Sequence, residues 1–148
     1  MNNRFRRRLA LPLLLALQAI AGCGDAGPER AEVLGKVTFE GTPVASGSIA
    51  FIPAPGTTGP SVGGAINDGA YRIARSQGPV LGPYRVEIRA TRKTGRQVAA
   101  GEGADDPAAM VDEVEMFIPE KYHSQSTLTA DIQSGVNEFD FQLSGDGK

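Results

Sequence analysis

The chain has 148 residues, a formal net charge of −2, 19 glycines, 10 prolines, no tryptophan and a single cysteine. That length suits one domain with one core. A lone cysteine excludes an internal disulfide, and the acidic balance excludes nucleic acid as the default partner, because phosphate binding needs a basic face.

The N-terminus reads as an address. Arg4, Arg6, Arg7 and Arg8 are followed by residues 9–21, apolar apart from Gln18. This is a charged n-region before a short h-region, too short for a permanent span of about 20 apolar residues. The run ends in Ile20-Ala21-Gly22-Cys23, which resembles the bacterial lipobox. That resemblance implies cleavage before Cys23, a diacylglycerol thioether on its sulfur and further acylation, and multiple chains anchor stably where one does not. The expected organisation is a signal peptide at 1–22, a lipidated, small and polar tether at 23–31, and a domain at 32–148. Removal of 1–22 would leave 126 residues with a net charge of −6. The implied location is the cell envelope, lipid-anchored to a membrane and extracytoplasmic, on the periplasmic or outer-membrane face.

From Glu32 the pattern alternates, with Val33, Gly35, Val37 and Phe39 on one face, and period two predicts a strand. Gly41-Thr42-Pro43 turns. Ile49 and Phe51 mark a second strand, which Pro53 and Pro55 end because proline cannot donate to a ladder. Residues 62–66 form a third. Asn67-Asp68-Gly69 is a hairpin signal, and Tyr71 and Ile73 return as a fourth strand. Tyr84, Val86, Ile88 and Ala90 alternate with Arg85, Glu87, Arg89 and Thr91, the clearest strand in the chain. Residues 93–116 show no period and are expected to be a long loop, functional or disordered. Phe117 to Tyr122 re-enters the fold, Leu128, Ala130 and Ile132 predict a sixth strand, and Phe139, Phe141 and Leu143 a seventh. Seven short strands with turn signals between them predict an all-β domain, a seven-stranded Greek-key β-sandwich of Ig-like or prealbumin-like type.

The matching segments, in order, are Gly35-Lys36-Val37 with Gly41-Thr42-Pro43, then residues 47–53, then Asp68-Gly69-Ala70-Tyr71, then residues 82–88, then Ile118-Pro119-Glu120-Lys121-Tyr122, then Ser126-Thr127-Leu128, closing with Asn137 and residues 139–143. Together they resemble the transthyretin-like, carboxypeptidase-regulatory-like domain of many small bacterial lipoproteins. The departures are His123, where the family more often has Asn, and the long 93–116 segment. The resemblance implies a non-catalytic module. Tyr84 is expected to place its ring in the core and its hydroxyl at the rim.

Three patterns carry candidate chemistry. Gly59-Pro60-Ser61-Val62-Gly63 matches the nucleophile-elbow pattern, but that motif needs a strand before the serine and a helix after it. His123 is the only histidine. With Cys23 taken by lipid, a zinc site lacks ligands, and a pairing of His123 with Ser124 or Ser126 lacks an orienting acid and an oxyanion hole. The transthyretin fold also hosts 5-hydroxyisourate hydrolase, whose several histidines this chain does not have. No enzyme activity, metal or cofactor is expected, and a transthyretin-related hydrolase is the least favoured alternative.

The charge layout is the most informative surface feature. Seven bases and only Glu87 among the acids lie between Arg72 and Arg96, whereas six acids and no base lie between Glu102 and Glu115. In one reading the acidic segment folds back over the basic strands and the charges neutralise, which is the expectation for charge runs. In the other, a basic face meets an anionic envelope polymer or an acidic protein patch. The candidate interaction surface is Arg85, Arg89, Arg92, Lys93, Arg96 and Tyr122. The expected partners are the membrane, through the N-terminal lipid, and envelope proteins or polysaccharide. The expected role is a non-catalytic protein-interaction or structural module. A glycan-binding module is the alternative, and it calls for an exposed Tyr122 beside a groove.

Overall fold

The computed structural model describes residues 27–145. The signal peptide at 1–22, the lipobox residues Ile20, Ala21 and Gly22, Cys23 and the first part of the tether lie outside the described residues. Among the described residues no helix is long and apolar enough to cross a membrane.

The chain is all-β. Its strands are β1 (Glu32–Phe39), β2 (Thr42–Pro43), β3 (Ser46–Pro53), β4 (Val62–Asn67), β5 (Ala70–Ile73), β6 (Gly82–Arg89), β7 (Thr91–Ala99), β8 (Met110–Met116), β9 (Thr129–Ile132), β10 (Val136–Glu138) and β11 (Phe141–Leu143), with 3₁₀ turns at Arg75–Gln77 and Glu120–Tyr122. The seven alternating segments coincide with β1, β3, β4, β5, β6, β9 and β11, although Ala90, Leu128 and Phe139, expected within them, lie outside the strands. Four further strands, β2, β7, β8 and β10, bring the number to eleven among the described residues. One curled sheet runs in the order β10-β1-β5-β4-β3-β6-β9, with β2 and β11 also on β1, and β7 and β8 form a separate two-stranded ribbon. The pairings are antiparallel except those of β1 with β10 and β11.

Side-chain alternation puts one face of this sheet in the core. Val33 and Val37 of β1, Ile49 and Phe51 of β3, Tyr71 and Ile73 of β5, and Val86 and Ile88 of β6 are all buried. Each such side chain contributes about 1.5–3 kcal/mol by leaving water. The curl comes from the strands' right-handed twist and from β1, which takes different neighbours along its length. Its first half pairs with β5 and β10, its second half with β2 and β11.

Gly35 makes that change of neighbours possible. A Cβ there would sit 1.9 Å from the Phe139 carbonyl oxygen, so only glycine lets residues 137–141 cross so close to β1. The crossing is then fastened twice. The Phe139 amide donates to the Leu34 carbonyl at 3.0 Å, and the Tyr71 hydroxyl donates to the Phe139 carbonyl at 2.9 Å. Burial and the nearby Asp140 and Glu138 push the Tyr71 phenol well above its ordinary range, so it stays a donor. Buried Asn137 shapes the β9–β10 turn, accepting from the Gln133 amide at 2.9 Å and donating to the Gln133 carbonyl at 2.8 Å.

Tyr84 departs from the rim position expected of it. Its ring is in the core, but its hydroxyl is buried too, approaching the Val80 backbone without reaching hydrogen-bond geometry with any protein group. The ladder places residue 84 on the inward face of β6, opposite Ala130, and the ring is too short to carry its oxygen out to water.

The two tyrosines make opposite predictions for the same chemical change. Tyr71→Phe is expected to cost about 1 kcal/mol in urea unfolding, the typical value of one lost hydrogen bond. Tyr84→Phe is expected to be neutral or stabilising by up to about 1 kcal/mol, because it removes a hydroxyl that burial penalises. Gly35→Ala is expected to destabilise by at least about 3 kcal/mol, since the obstacle is backbone and cannot rotate away.

Candidate functional site: the ribbon and the groove at its root

β6 leaves the sheet at Arg89, crosses buried Ala90, and continues as β7. β8 returns to Phe117, whose amide donates to the Ala90 carbonyl at 3.3 Å. The ribbon therefore leaves the body at the end where β1 finishes. Phe39, the last residue of β1, packs edge-on against Phe117 with ring centroids 5.4 Å apart. The tether enters at the other end of β1, and its eight residues separate the two ends by roughly 26 Å at about 3.3 Å per residue.

No residue of β7 or β8 is buried; Thr94 and Glu113 are half-buried and the rest exposed. The expectation of a loop over 93–116 is thus corrected: most of that segment is ordered as ribbon. Strands betray themselves by alternation only when one face is dry, and here both faces meet water.

The ribbon is held by a cross-strand register that pairs bases with acids. Arg92 meets Glu115 at 2.8 Å and Lys93 meets Asp112 at 2.5 Å. A bulge between Lys93 and Gln97 sets Thr94, Gly95 and Arg96 against Glu113. Gly95 has φ +84°, a left-handed conformation that suits glycine. Glu113 then accepts from Thr94 Oγ1 at 2.5 Å and from Arg96 through a two-pronged contact at 2.8 and 3.0 Å. The Lys93 hydrogen bond and charge hold Asp112 below the usual carboxylate range, and Asp112 in turn raises Lys93. The tip, residues 100–109, is closed by hydrogen bonds from Ala100 to Ala109 and from Gly101 to Pro107.

Register also sorts the two faces. Thr91 faces Met116, Lys93 faces Val114, Gln97 faces Asp112 and Ala99 faces Met110, so these residues share one face. Val98, Val111 and the Arg92–Glu115 pair occupy the other. The first face carries Met110, Val114 and Met116, exposed by 58, 58 and 47 %. At the root of the ribbon, on the side of the Arg92–Glu115 pair, lies a groove of about 690 Å³ with Phe39, Pro43, Val44 and Phe117 among its walls, and Thr91, Arg92 and Lys93 on its ribbon side. The Arg92 guanidinium sits 5.5 Å over the Phe117 ring.

The basic surface expected from sequence is divided. Arg92, Lys93 and Arg96 lie in the ribbon, matched to acids. Arg85 and Arg89 lie on the outer face of β6, both paired with Glu87 between them, at 2.6 and 2.7 Å. Glu87 is only 8 % exposed. Burial alone would raise its pKa, but hydrogen bonds from Arg85 and Arg89, and their charges, outweigh that and hold it below the ordinary glutamate range. Arg72 pairs with Glu32 at 2.7 Å. Glu102, Asp105 and Asp106, at the tip, make no ion pair with a described residue.

Tyr122 is half-buried and lines neither the groove nor the smaller hollow beside it. Its hydroxyl accepts from the Ser144 amide at 3.0 Å and ties down the end of the described chain. Ser61 lies in an exposed loop and is followed by β4 rather than a helix, so the elbow geometry is absent there. Ser126 donates its hydroxyl proton to the Val86 carbonyl at 2.5 Å, away from His123. Among the described residues no three His, Cys, Asp or Glu side chains converge as a metal would require.

Sequence reasoning missed Met110, Val114, Met116, Phe39 and Phe117 as surface or groove residues. The even spacing of 110, 114 and 116 is a strand signal, interrupted by Asp112. In comparisons with known proteins, the chain matches no family model, no curated protein and no solved structure.

Glu87, buried between the more exposed Arg85 and Arg89, generates a pH prediction. A carboxylate whose folded pKa lies below its unfolded value, about 4.3 for glutamate, stabilises the fold above that value and ceases to as pH falls through the folded pKa. Glu87→Gln is expected to cost about 1–2 kcal/mol at neutral pH and to flatten the loss of stability below about pH 4.3. Urea titrations of both proteins from neutral to acid pH measure it.

Proposed function

We propose that this chain is a lipid-anchored protein of the cell envelope, and that its domain, a β-sandwich of the transthyretin-like, carboxypeptidase-regulatory-like type, is a non-catalytic module for contact with other proteins. The anchor reading is supported by the arginine-led apolar run ending in Ile20-Ala21-Gly22-Cys23. The sandwich reading is supported by the curled sheet around one core and by the order of the motif segments along it.

The observation that carries the contact reading is the ribbon. A two-stranded hairpin is at best marginally stable alone in water, and this one buries nothing, yet it displays Met110, Val114 and Met116 on one face. Exposed apolar side chains held in a row are the mark of a protein contact. The ribbon stands at the end of the domain away from the tether, so an anchored chain presents it outward. A glycan site would draw on exposed aromatic rings for stacking, and Tyr122 holds Ser144 instead.

Intact mass of the native protein extracted from membranes, beside a Cys23→Ser variant, tests the anchor. The expected native product begins at Cys23 and carries acyl mass, and the variant carries none. An unlipidated native product cleaved elsewhere would make this a secreted domain without an anchor.

A further inference from the structure

We propose that the end of the domain where the tether enters is a membrane-contact surface. It rests on the phospholipid headgroups of the bilayer that holds the anchor, with Leu81 and Val136 entering the interface and Arg75 meeting lipid phosphate. This surface rests on the anchor reading above and is independent of what the ribbon contacts.

The first reason is where the exposed apolar side chains lie. Among the described residues seven large apolar side chains are exposed; five belong to the ribbon, and the other two are Leu81 and Val136, exposed by 37 and 63 %. Both sit on segments bonded to the tether entry, one from each side. The Ala31 amide donates to the Pro79 carbonyl at 2.9 Å, and Arg30 bridges to Val80. The Glu32 amide donates to the Gly135 carbonyl at 3.0 Å, and Glu32 lies opposite Val136. Loop 54–61 completes this end. Thr57 donates its hydroxyl proton to the Pro83 carbonyl at 3.0 Å, and Gly59 lies so near Val80 that a Cβ added to it would be 3.0 Å from that side chain. Exposed apolar side chains rimmed by polar groups mark membrane contacts as well as protein contacts.

The second reason is charge. Residues 54–61, 74–81 and 133–136, which make up this end, hold a single charged side chain, Arg75. It is exposed and makes no ion pair with a described residue. Glu32 and Asp131, in the strand ends beside it, are held by Arg72 and Gln133. In the tether, Asp25 and Glu29 stand against Arg30. With Arg75 the end as a whole is neutral, and the net −6 of the processed chain lies elsewhere. A surface of anionic phospholipid attracts bases and repels acids over about one Debye length, about 8 Å at physiological salt. The acid-free loops are therefore the part of this acidic chain that approaches such a surface at least cost.

The third reason is reach. Ala31 is fully buried, so the tether is fixed to the domain there. Eight peptide steps separate it from Cys23, and they span at most about 29 Å when fully extended. An anchored domain therefore stays close to its bilayer, and the start of β1 is the part held closest. Two apolar side chains and one arginine are too few to keep a free domain on a membrane, where stable attachment takes more than one strong signal. An anchor changes that, because it turns their contact into an intramolecular one at high effective concentration. With this end on the headgroups, the ribbon at the far end of β1 is directed away from the bilayer.

Cys23 is the chain's single cysteine, so the test couples the mature chain through it to maleimide-bearing lipid in vesicles of phosphatidylethanolamine and phosphatidylglycerol. This coupling needs no native acylation, so a failed contact is distinct from a failed anchor, which the intact-mass experiment reads. The reference is the same chain capped with N-ethylmaleimide in solution. At short labelling times, hydrogen exchange read by mass spectrometry is expected to be severalfold slower on vesicles in residues 54–61, 74–81 and 133–136, and unchanged in the ribbon. Leu81→Asp combined with Val136→Asp, both at exposed positions, is expected to return those segments to the reference rate at equal coupling density, with circular dichroism confirming the fold. Arg75→Glu, which keeps both apolar side chains, is expected to weaken the protection. Loops that exchange alike on and off the vesicles, protection of the ribbon in their place, or protection indifferent to either set of substitutions would each overturn the contact.

Discussion

The close passage of residue 139 over Gly35 is the constraint on which the rest of this molecule depends. A strand normally has two neighbours. β1 has four because its two halves are handed to different partners, and the handover takes place where the Phe139 backbone lies against a glycine. Tyr71, from the neighbouring β5, closes the arrangement with a hydrogen bond to the same carbonyl. β1 thereby binds the start, the middle and the end of the described chain into one core. Its last residue, Phe39, then supports Phe117 at the root of the ribbon, so the same strand that organises the core also positions the projecting element.

The ribbon is governed by different physics. It has no core, and its stability comes from backbone hydrogen bonds and cross-strand pairs, each of the latter about 0.2–1 kcal/mol. Single exposed ion pairs contribute little, but three in register do something that energy alone does not measure: they choose which residue of β7 faces which residue of β8. A slip by one residue would turn Met110, Val114 and Met116 to the other face and part Arg92 from Glu115, its partner directly opposite. The charge runs in the sequence are in this sense a pairing code, and the neutralisation expected of them is met between β7 and β8. It is not met by one acidic cover over all the bases, since Arg85 and Arg89 are matched by Glu87 within their own strand and Arg72 by Glu32. What is left unmatched lies at the tip, so the polarity of the ribbon is a consequence of where the pairing stops.

Much of the fold was legible because most strands have one dry face. Val33 and Val37, Ile49 and Phe51, Tyr71 and Ile73, and Tyr84 to Ile88 alternate in the sequence and are buried as that alternation requires. Asn67-Asp68-Gly69 reads as a tight turn, and Asp68 and Gly69 both take positive φ there. The strands that were not legible are short, like β2 and β10, or wet on both faces, like β7 and β8. The candidate site was less legible than the fold. Arg92, Lys93 and Arg96 belong to the ribbon, but as partners of acids rather than as a free basic face. Tyr122 has a tying role, and the groove joins Phe39 to Phe117 across 78 positions of sequence that no local pattern connects.

The sequence by itself determined the β character, the inward residues of the main strands, the turn positions and the segregation of opposite charges, because each is a local property set by side-chain period, backbone freedom or composition. Only the tertiary structure decided that β1 would be shared among four neighbours, that the acidic and basic runs would zip into a ribbon, and that Tyr84 would bury its hydroxyl. Those outcomes depend on which distant backbones can approach within a van der Waals radius. That is settled when the whole sheet curls around one core, and by no segment alone.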